Sequence, residues 1–166
     1  LSGGPASAHE IETPRAPKDI FKDNFGLPIL GICYGEQTMV QQMGGQVTKS
    51  NHREFGRVAL EVTDNCVLFD GVWKIGGNYQ VWMSHGDRVD VLPTGFRSLA
   101  KTDSTAFAAI ANEKLNFYGV QFHPEVVHTP DGAKLLKNFT HNVCGCQGNW
   151  TMAAFKDQAI TKVFSQ

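Results

Sequence analysis

The chain has 166 residues, of which 42% are hydrophobic and 19% charged, and a net charge of −1. That is enough length for one domain with a real core, and the charge offers no attraction to nucleic acid or an anionic membrane surface. No apolar run is long enough to span a bilayer and no secretory signal opens the chain, so a cytoplasmic location is expected, with the four cysteines as reactive or buried thiols rather than a disulfide framework.

In chain order, Ser2-Gly3-Gly4-Pro5 comes first. It reads as a tight turn whose backbone N–H groups can hold an oxyanion, or as a plain connector. No Gly-Lys-Ser/Thr follows, which argues against a phosphate loop. Asp19 is expected to cap a short helix carrying Ile20, Phe21 and Phe25, ended by Gly26. Residues 28–32 predict an apolar strand. Residues 36–45 predict a helix with Met39, Val40 and Met43 on one face and Gly44-Gly45 as its stop. A polar stretch runs to Phe55-Gly56, and residues 57–62 then alternate like a half-buried strand. A strand over 79–84 is expected to lead into a Ser84-His85-Gly86-Asp87 loop. Residues 96–101 and 107–111 predict a strand pair, and 117–122 a strand that delivers His123. Helical spacing over 131–143 puts Leu135, Leu136 and Phe139 on one face. Thr151 is expected to cap a last amphipathic helix bearing Phe155, Ile160, Val163 and Phe164. Cys66 reads as core. Strands mixed with helices indicate an α/β fold with an antiparallel portion in the second half.

Cys33 stands where the predicted strand meets the predicted helix, with Gly31 and Gly35 two residues to either side. This is the spacing of a strand-to-helix nucleophile elbow, with Cys in place of Ser. The helix N-terminus there favours thiolate, while burial disfavours it. The alternative reading is a small buried hydrophobe. A Cys nucleophile needs a base and the base an orienter. Proline after His123 favours an extended backbone there, and in an extended chain Glu125 lies on the same side as His123. His9, His52, His128 and His141 read as structural or exposed. Cys144-Gly145-Cys146 near His141 lacks the second ligand pair of a structural zinc site, so no metal is expected.

Three segments, Ser2-Gly3-Gly4-Pro5, Gly31-Ile32-Cys33-Tyr34-Gly35-Glu36-Gln37 and Gly119-Val120-Gln121-Phe122-His123-Pro124-Glu125, together resemble the class I (triad) glutamine amidotransferases. Arg53-Glu54-Phe55-Gly56, Val81-Trp82-Met83-Ser84-His85-Gly86-Asp87, Glu125-Val126-Val127-His128-Thr129 and Asn142-Val143-Cys144-Gly145-Cys146 are similar to the amidotransferase domains of GMP synthetases in particular. The resemblance implies a flavodoxin-like three-layer α/β fold with a central mixed, mainly parallel sheet. It implies an amidotransferase domain over 1–150, and over 151–166 a helix or linker toward an ATP pyrophosphatase (synthetase) domain. Family members carry further strand and helix elements before the first loop, so elements of the sheet are expected to be missing here.

For the site, the resemblance implies Cys33 as nucleophile, His123 as base and Glu125 as its orienter. It implies an oxyanion hole from the backbone of Gly4 and Tyr34, and L-glutamine held by Gln37, Ser84, His85, Gly86 and Asp87. No cofactor is implied for this domain; ATP and Mg²⁺ would belong to the synthetase domain, which would accept the ammonia and convert XMP to GMP. Other readings are an amidotransferase serving another acceptor, a non-glutaminase cysteine hydrolase, and a regulatory domain with a vestigial site.

Overall fold

The computed structural model describes residues 1–10, 12–22, 26–149 and 152–164. Its strands are β1 (Ile29–Ile32), β2 (Gln46–Val62), β3 (Asn78–Val91), β4 (Arg97–Lys101), β5 (Ala109–Asn112) and β6 (Phe117–Val120), and its helices α1 (Tyr34–Gln42), α2 (Gly132–Asn138) and α3 (Met152–Phe164). The described strands form one six-stranded sheet in the order β1-β6-β5-β4-β2-β3.

The sheet is mixed, but it is not mainly parallel. Only β1 and β6 run parallel among the described strands; β2/β3, β2/β4, β4/β5 and β5/β6 are antiparallel. The connections decide this. Residues 113–116 are too few to carry the chain back across the sheet, so β5 and β6 can pair only antiparallel.

Both faces are covered. On one, Met39 and Val40 of α1 pack with Ile29, Ile110 and Phe117. On the other, Leu135 of α2 joins Leu68, Phe69, Trp73, Tyr118 and Phe122. β6 is therefore buried along its whole length, with Phe117 serving one core and Tyr118 the other. That is why its run is apolar rather than alternating. Cys66 is buried in the second core.

Three expectations shift. β2 begins at Gln46 and takes in the polar stretch to which the sequence assigned no element, because its long antiparallel partner β3 supplies hydrogen bonds that no local hydrophobic pattern announces. Ser84-His85-Gly86-Asp87 is strand, not loop, since β3 continues to Val91 with Val81, Met83, His85, Asp87 and Val89 turned inward. The helix near Asp19 is a single 3₁₀ turn, Lys18–Phe21, preceded by Pro17; Asp19 lies inside it, in an ion pair with Lys22. Phe25 and Thr151 lie outside the described residues. α2 runs on into a π-helical turn, Phe139–Val143. On α3, Met152, Phe155, Ile160, Val163 and Phe164 are exposed.

Glu36, in the first turn of α1, is wholly buried against Gly119, and neither carboxyl oxygen has a hydrogen-bond partner among the described residues. Burial holds its pKa well above the usual carboxylate range. The folded chain thus keeps a proton that the unfolded chain releases once the pH passes about 4.3, so Glu36 lowers stability progressively as pH rises beyond that point. Glu36→Gln, which keeps the shape and removes the titration, should match the parent melting temperature near pH 4 and exceed it by about 3 °C near pH 8. An equal offset at both values would show that the proton is not involved.

Candidate active site

The site is built on the junction of β1 and α1. Cys33 joins the two with φ 51° and ψ −109°, a left-handed backbone for a residue with a side chain. Such a conformation costs on the order of 1–3 kcal/mol and persists only where its surroundings enforce it. Here they do. Its N–H donates to the Val120 carbonyl at 2.7 Å. The flanking glycines allow the close approach: a Cβ on Gly31 would lie 2.7 Å from the Glu36 nitrogen, and one on Gly35 would strike the Leu1 carbonyl oxygen. Leu1 lies along β1, donating its amino group to the Leu30 carbonyl at 2.7 Å and accepting from Ile32 N–H at 2.9 Å. That contact starts the Ser2-Gly3-Gly4-Pro5 turn beside Cys33.

His123 follows the end of β6, where its N–H donates to the Trp82 carbonyl of β3 at 2.9 Å. Its carbonyl accepts from the Thr129 hydroxyl at 2.7 Å, and that hydroxyl also accepts from Trp82 N–H at 3.0 Å. Thr129, buried, thus locks the His123 backbone to β3. The His123 ring places Nδ1 2.7 Å from Glu125 Oε1. The ring and Cys33 converge on Gly3, where a Cβ would lie 3.0 Å from His123 Cε1 and 3.7 Å from Cys33 Cβ.

A cavity of about 490 Å³ opens over these groups, within the rough 300–1,000 Å³ range of small-ligand sites. Cys33, Gln37, Ser84, His85, Asp87 and His123 line it, together with Gly4, Gly86 and Phe55. Glu125 stands behind His123 and is half exposed. Gly4 packs on the Tyr34 ring, 3.5 Å from where its Cβ would be. Gln37, buried, donates through Nε2 to the Asp87 carbonyl at 3.0 Å and to Gln121 Oε1 at 2.8 Å. Ser84 turns its side chain to solvent, while its carbonyl accepts from the Cys33 thiol at 3.6 Å. The Asp87 carboxylate is occupied: the Ser7 hydroxyl donates to Oδ2, and His9 Nδ1 lies 3.2 Å from the same oxygen. Asp87 therefore latches the Gly-Gly-Pro loop to β3.

Burial pushes the Cys33 thiol up to about 11, and the Glu36 and Glu125 carboxylates add to it; the Tyr34 backbone N–H and the Gln121 amide pull the other way. Burial outweighs the helix terminus, so the resting group near neutral pH is a thiol. Any nucleophilic step must begin with loss of its proton to a neighbour. His123, with Nδ1 committed to Glu125, keeps Nε2 for that work.

Sequence reasoning does not assign Thr129, Gln121, Ser7 or His9 to the site. It groups His9 with His128 and His141 as structural or exposed. His9 Nδ1 lies 2.8 Å from the nearby Ser7 hydroxyl, but the Asp87 carboxylate that ties both to the site is 78 residues from His9 in sequence, so nothing local marks it. His128 packs on Trp82 with ring centroids 4.5 Å apart and the planes tilted by 32°, and the side chain of His52 is not among those described. Cys144 and Cys146 are exposed free thiols, and no cluster of three metal-ligating side chains is found among the described residues.

The family model for class-I glutamine amidotransferases matches residues 1–143. The chain is 60% identical over 166 residues to "GMP synthase [glutamine-hydrolyzing]" of Nitrobacter hamburgensis and 57% identical to the protein of that name in Rhodopseudomonas palustris. Both alignments take in the whole chain, which spans 30% and 31% of the length of those relatives. Among solved structures, a provisionally assigned GMP synthase subunit from Thermoplasma acidophilum superposes with a TM-score of 0.68 at 32% identity, over 74% of this chain and 60% of that one. A glutamine amidotransferase from Thermotoga maritima superposes with a TM-score of 0.59 at 22% identity, over 96% of this chain and 62% of that one, a likeness of fold.

Proposed function

The chain belongs to the class-I glutamine amidotransferase family, and on that premise we propose that it hydrolyses the side-chain amide of L-glutamine to glutamate and ammonia. The observation that carries the reading is His123, paired with Glu125 at 2.7 Å, lining the same cavity as an elbow cysteine.

Glutamine lies with its amide over Cys33. His123 takes the thiol proton as sulfur attacks the amide carbon, and Glu125 steadies the imidazolium that results. The oxygen of the tetrahedral intermediate falls to the backbone N–H groups of Gly4 and Tyr34; losing one such donor costs roughly 3 kcal/mol in the transition state. On collapse the C–N bond breaks, His123 returns the proton to the leaving nitrogen, and ammonia departs from a γ-glutamyl thioester. Water, deprotonated by the same imidazole, attacks the thioester; glutamate leaves and the thiol is restored. Gln37 and the Ser84-His85-Gly86-Asp87 segment hold the α-amino and α-carboxylate groups, mainly through backbone atoms, because the Gln37 amide nitrogen and the Asp87 carboxylate are already engaged within the protein.

The whole-chain likeness to glutamine-hydrolysing GMP synthases extends the reading. The ammonia passes to a synthetase domain that uses ATP and Mg²⁺ to aminate XMP, in the cytoplasm. The glutaminase site needs no cofactor of its own. No helix among the described residues is long and apolar enough to cross a membrane.

Labelling with the glutamine-analogue electrophile diazo-oxo-norleucine, read by peptide mass spectrometry, tests the reading even where turnover is slow. One adduct on Cys33, suppressed by excess L-glutamine, is expected. A folded chain that takes no adduct, or one that glutamine does not suppress, would sink the proposal.

A further inference from the structure

We propose that Glu54 is a positioning residue of the glutamine pocket: its buried carboxylate holds the His85 imidazole and, through that ring, the backbone wall at Asp87. The inference rests on the glutaminase reading and adds a residue that reading does not use.

The strand pairing puts Glu54 in place. β2 and β3 run in regular register up to Glu54↔His85, and pairing resumes at Lys49↔Asp87. Four residues of β2, 50–53, thus stand opposite Gly86 alone. This bulge frees the Gly86 backbone toward the cavity and brings Glu54 directly across from His85.

The cluster that results is buried and well bonded. The His85 side chain is 2% exposed and that of Glu54 10%. Glu54 Oε2 lies 3.0 Å from His85 Nε2 and accepts from the Thr105 hydroxyl at 2.8 Å, while Oε1 accepts from the Thr102 hydroxyl at 2.8 Å. Thr102 and Thr105 belong to the tight connection between β4 and β5. It is closed by Thr102 N–H to the Thr105 carbonyl at 2.9 Å and by Thr105 N–H to the Thr102 hydroxyl at 3.0 Å. Burial alone would raise the Glu54 carboxyl, but the His85 ring and the hydroxyls around it bring it down to about 2, so it is an anion.

On its other side, His85 Nδ1 lies 2.8 Å from the Asp87 carbonyl, the same oxygen that accepts from Gln37 Nε2 at 3.0 Å. Both neighbours of the ring are acceptors, so the ring fits its site with a hydrogen on each nitrogen. The chain of contacts runs from the Thr102/Thr105 turn through Glu54 and His85 to the Asp87 backbone and Gln37. It ends at the wall that faces the substrate's α-carbon. Glu54 touches no substrate; it acts through His85.

The test separates binding from chemistry in the full 166-residue chain. Diazo-oxo-norleucine inactivation yields an apparent binding constant and a limiting rate; iodoacetamide alkylation of Cys33 needs the sulfur but not the α-carbon wall. Glu54→Gln and Glu54→Ala should raise the binding constant about tenfold or more, with the limiting rate and the iodoacetamide rate within about twofold. Thr105→Val, which removes a single anchoring hydroxyl, should raise it about threefold. By NMR, His85 should show two slowly exchanging ring N–H signals, and Glu54→Gln should lose the Nε2 one.

Unchanged binding constants in both Glu54 variants would overturn the inference. So would an iodoacetamide rate that falls in step with labelling, which marks a general loss of the site. If neither Glu54 variant folds, an unchanged Thr105→Val constant overturns it alone. A parent chain that takes no adduct would sink the glutaminase reading instead, and the two ring N–H signals would still report whether Glu54 holds His85.

Discussion

Cys33→Ala is expected to lower glutamine hydrolysis by at least about 10⁴-fold relative to the parent chain, while melting within about 3 °C of it. The loss follows from the chemistry: without sulfur no thioester forms. The small change in stability follows from the packing. Alanine keeps the Cβ that rests near Gly3 and keeps the Cys33 N–H bond to the Val120 carbonyl, so the elbow is enforced by the same contacts. Only one buried sulfur is removed, which leaves a small cavity. Ammonia release read beside a thermal melt checks both halves. Residual activity above about 1% of the parent would assign the nucleophile elsewhere.

His123→Ala should cost about 10³-fold, and Glu125→Ala only about tenfold. In the proposed mechanism His123 both removes the thiol proton and returns one to the leaving ammonia. Burial raises the Cys33 thiol to about 11, so without a base little thiolate exists near neutral pH. Glu125 differs because His123 does not depend on it alone. The Trp82 carbonyl and the Thr129 hydroxyl fix the His123 backbone, and the Gly3 turn packs against the ring. Glu125 is also 45% exposed at its side chain, so water can replace part of its hydrogen bond. The limiting rate of diazo-oxo-norleucine labelling, measured for the two variants side by side, tests the ranking. A Glu125 variant as slow as the His123 variant would make the carboxylate essential to the tautomer rather than an aid to orientation.

The elements that position Cys33 were legible because their signals are local. The apolar run before Cys33, the glycines two residues to either side and the helical spacing of Met39 and Val40 lie within a dozen residues, and β1 and α1 form where those patterns place them. His123 and Glu125 were legible for the same reason, since an extended chain puts alternate residues on one side. The extent of β2 and β3 was not, because residues 46–49 and 54–56 and His85 and Asp87 are held in strand by pairing across the sheet. Nor was the resting state of Cys33, where the helix terminus and burial oppose each other and only the packed depth of the sulfur decides.

The sequence by itself therefore determined the elbow, its cysteine, the histidine and carboxylate two residues apart, and the mixture of strands with helices. All of these depend on backbone preferences and short spacings. The tertiary structure alone decided that, among the described strands, one parallel pair stands against four antiparallel ones, that Asp87 latches Ser7 and His9, and that Glu54 faces His85 from 31 residues away. Those contacts pair buried polar groups that must find partners wherever the folded chain presents them. Which partner is in reach is a property of the packed sheet, not of any neighbouring stretch of chain.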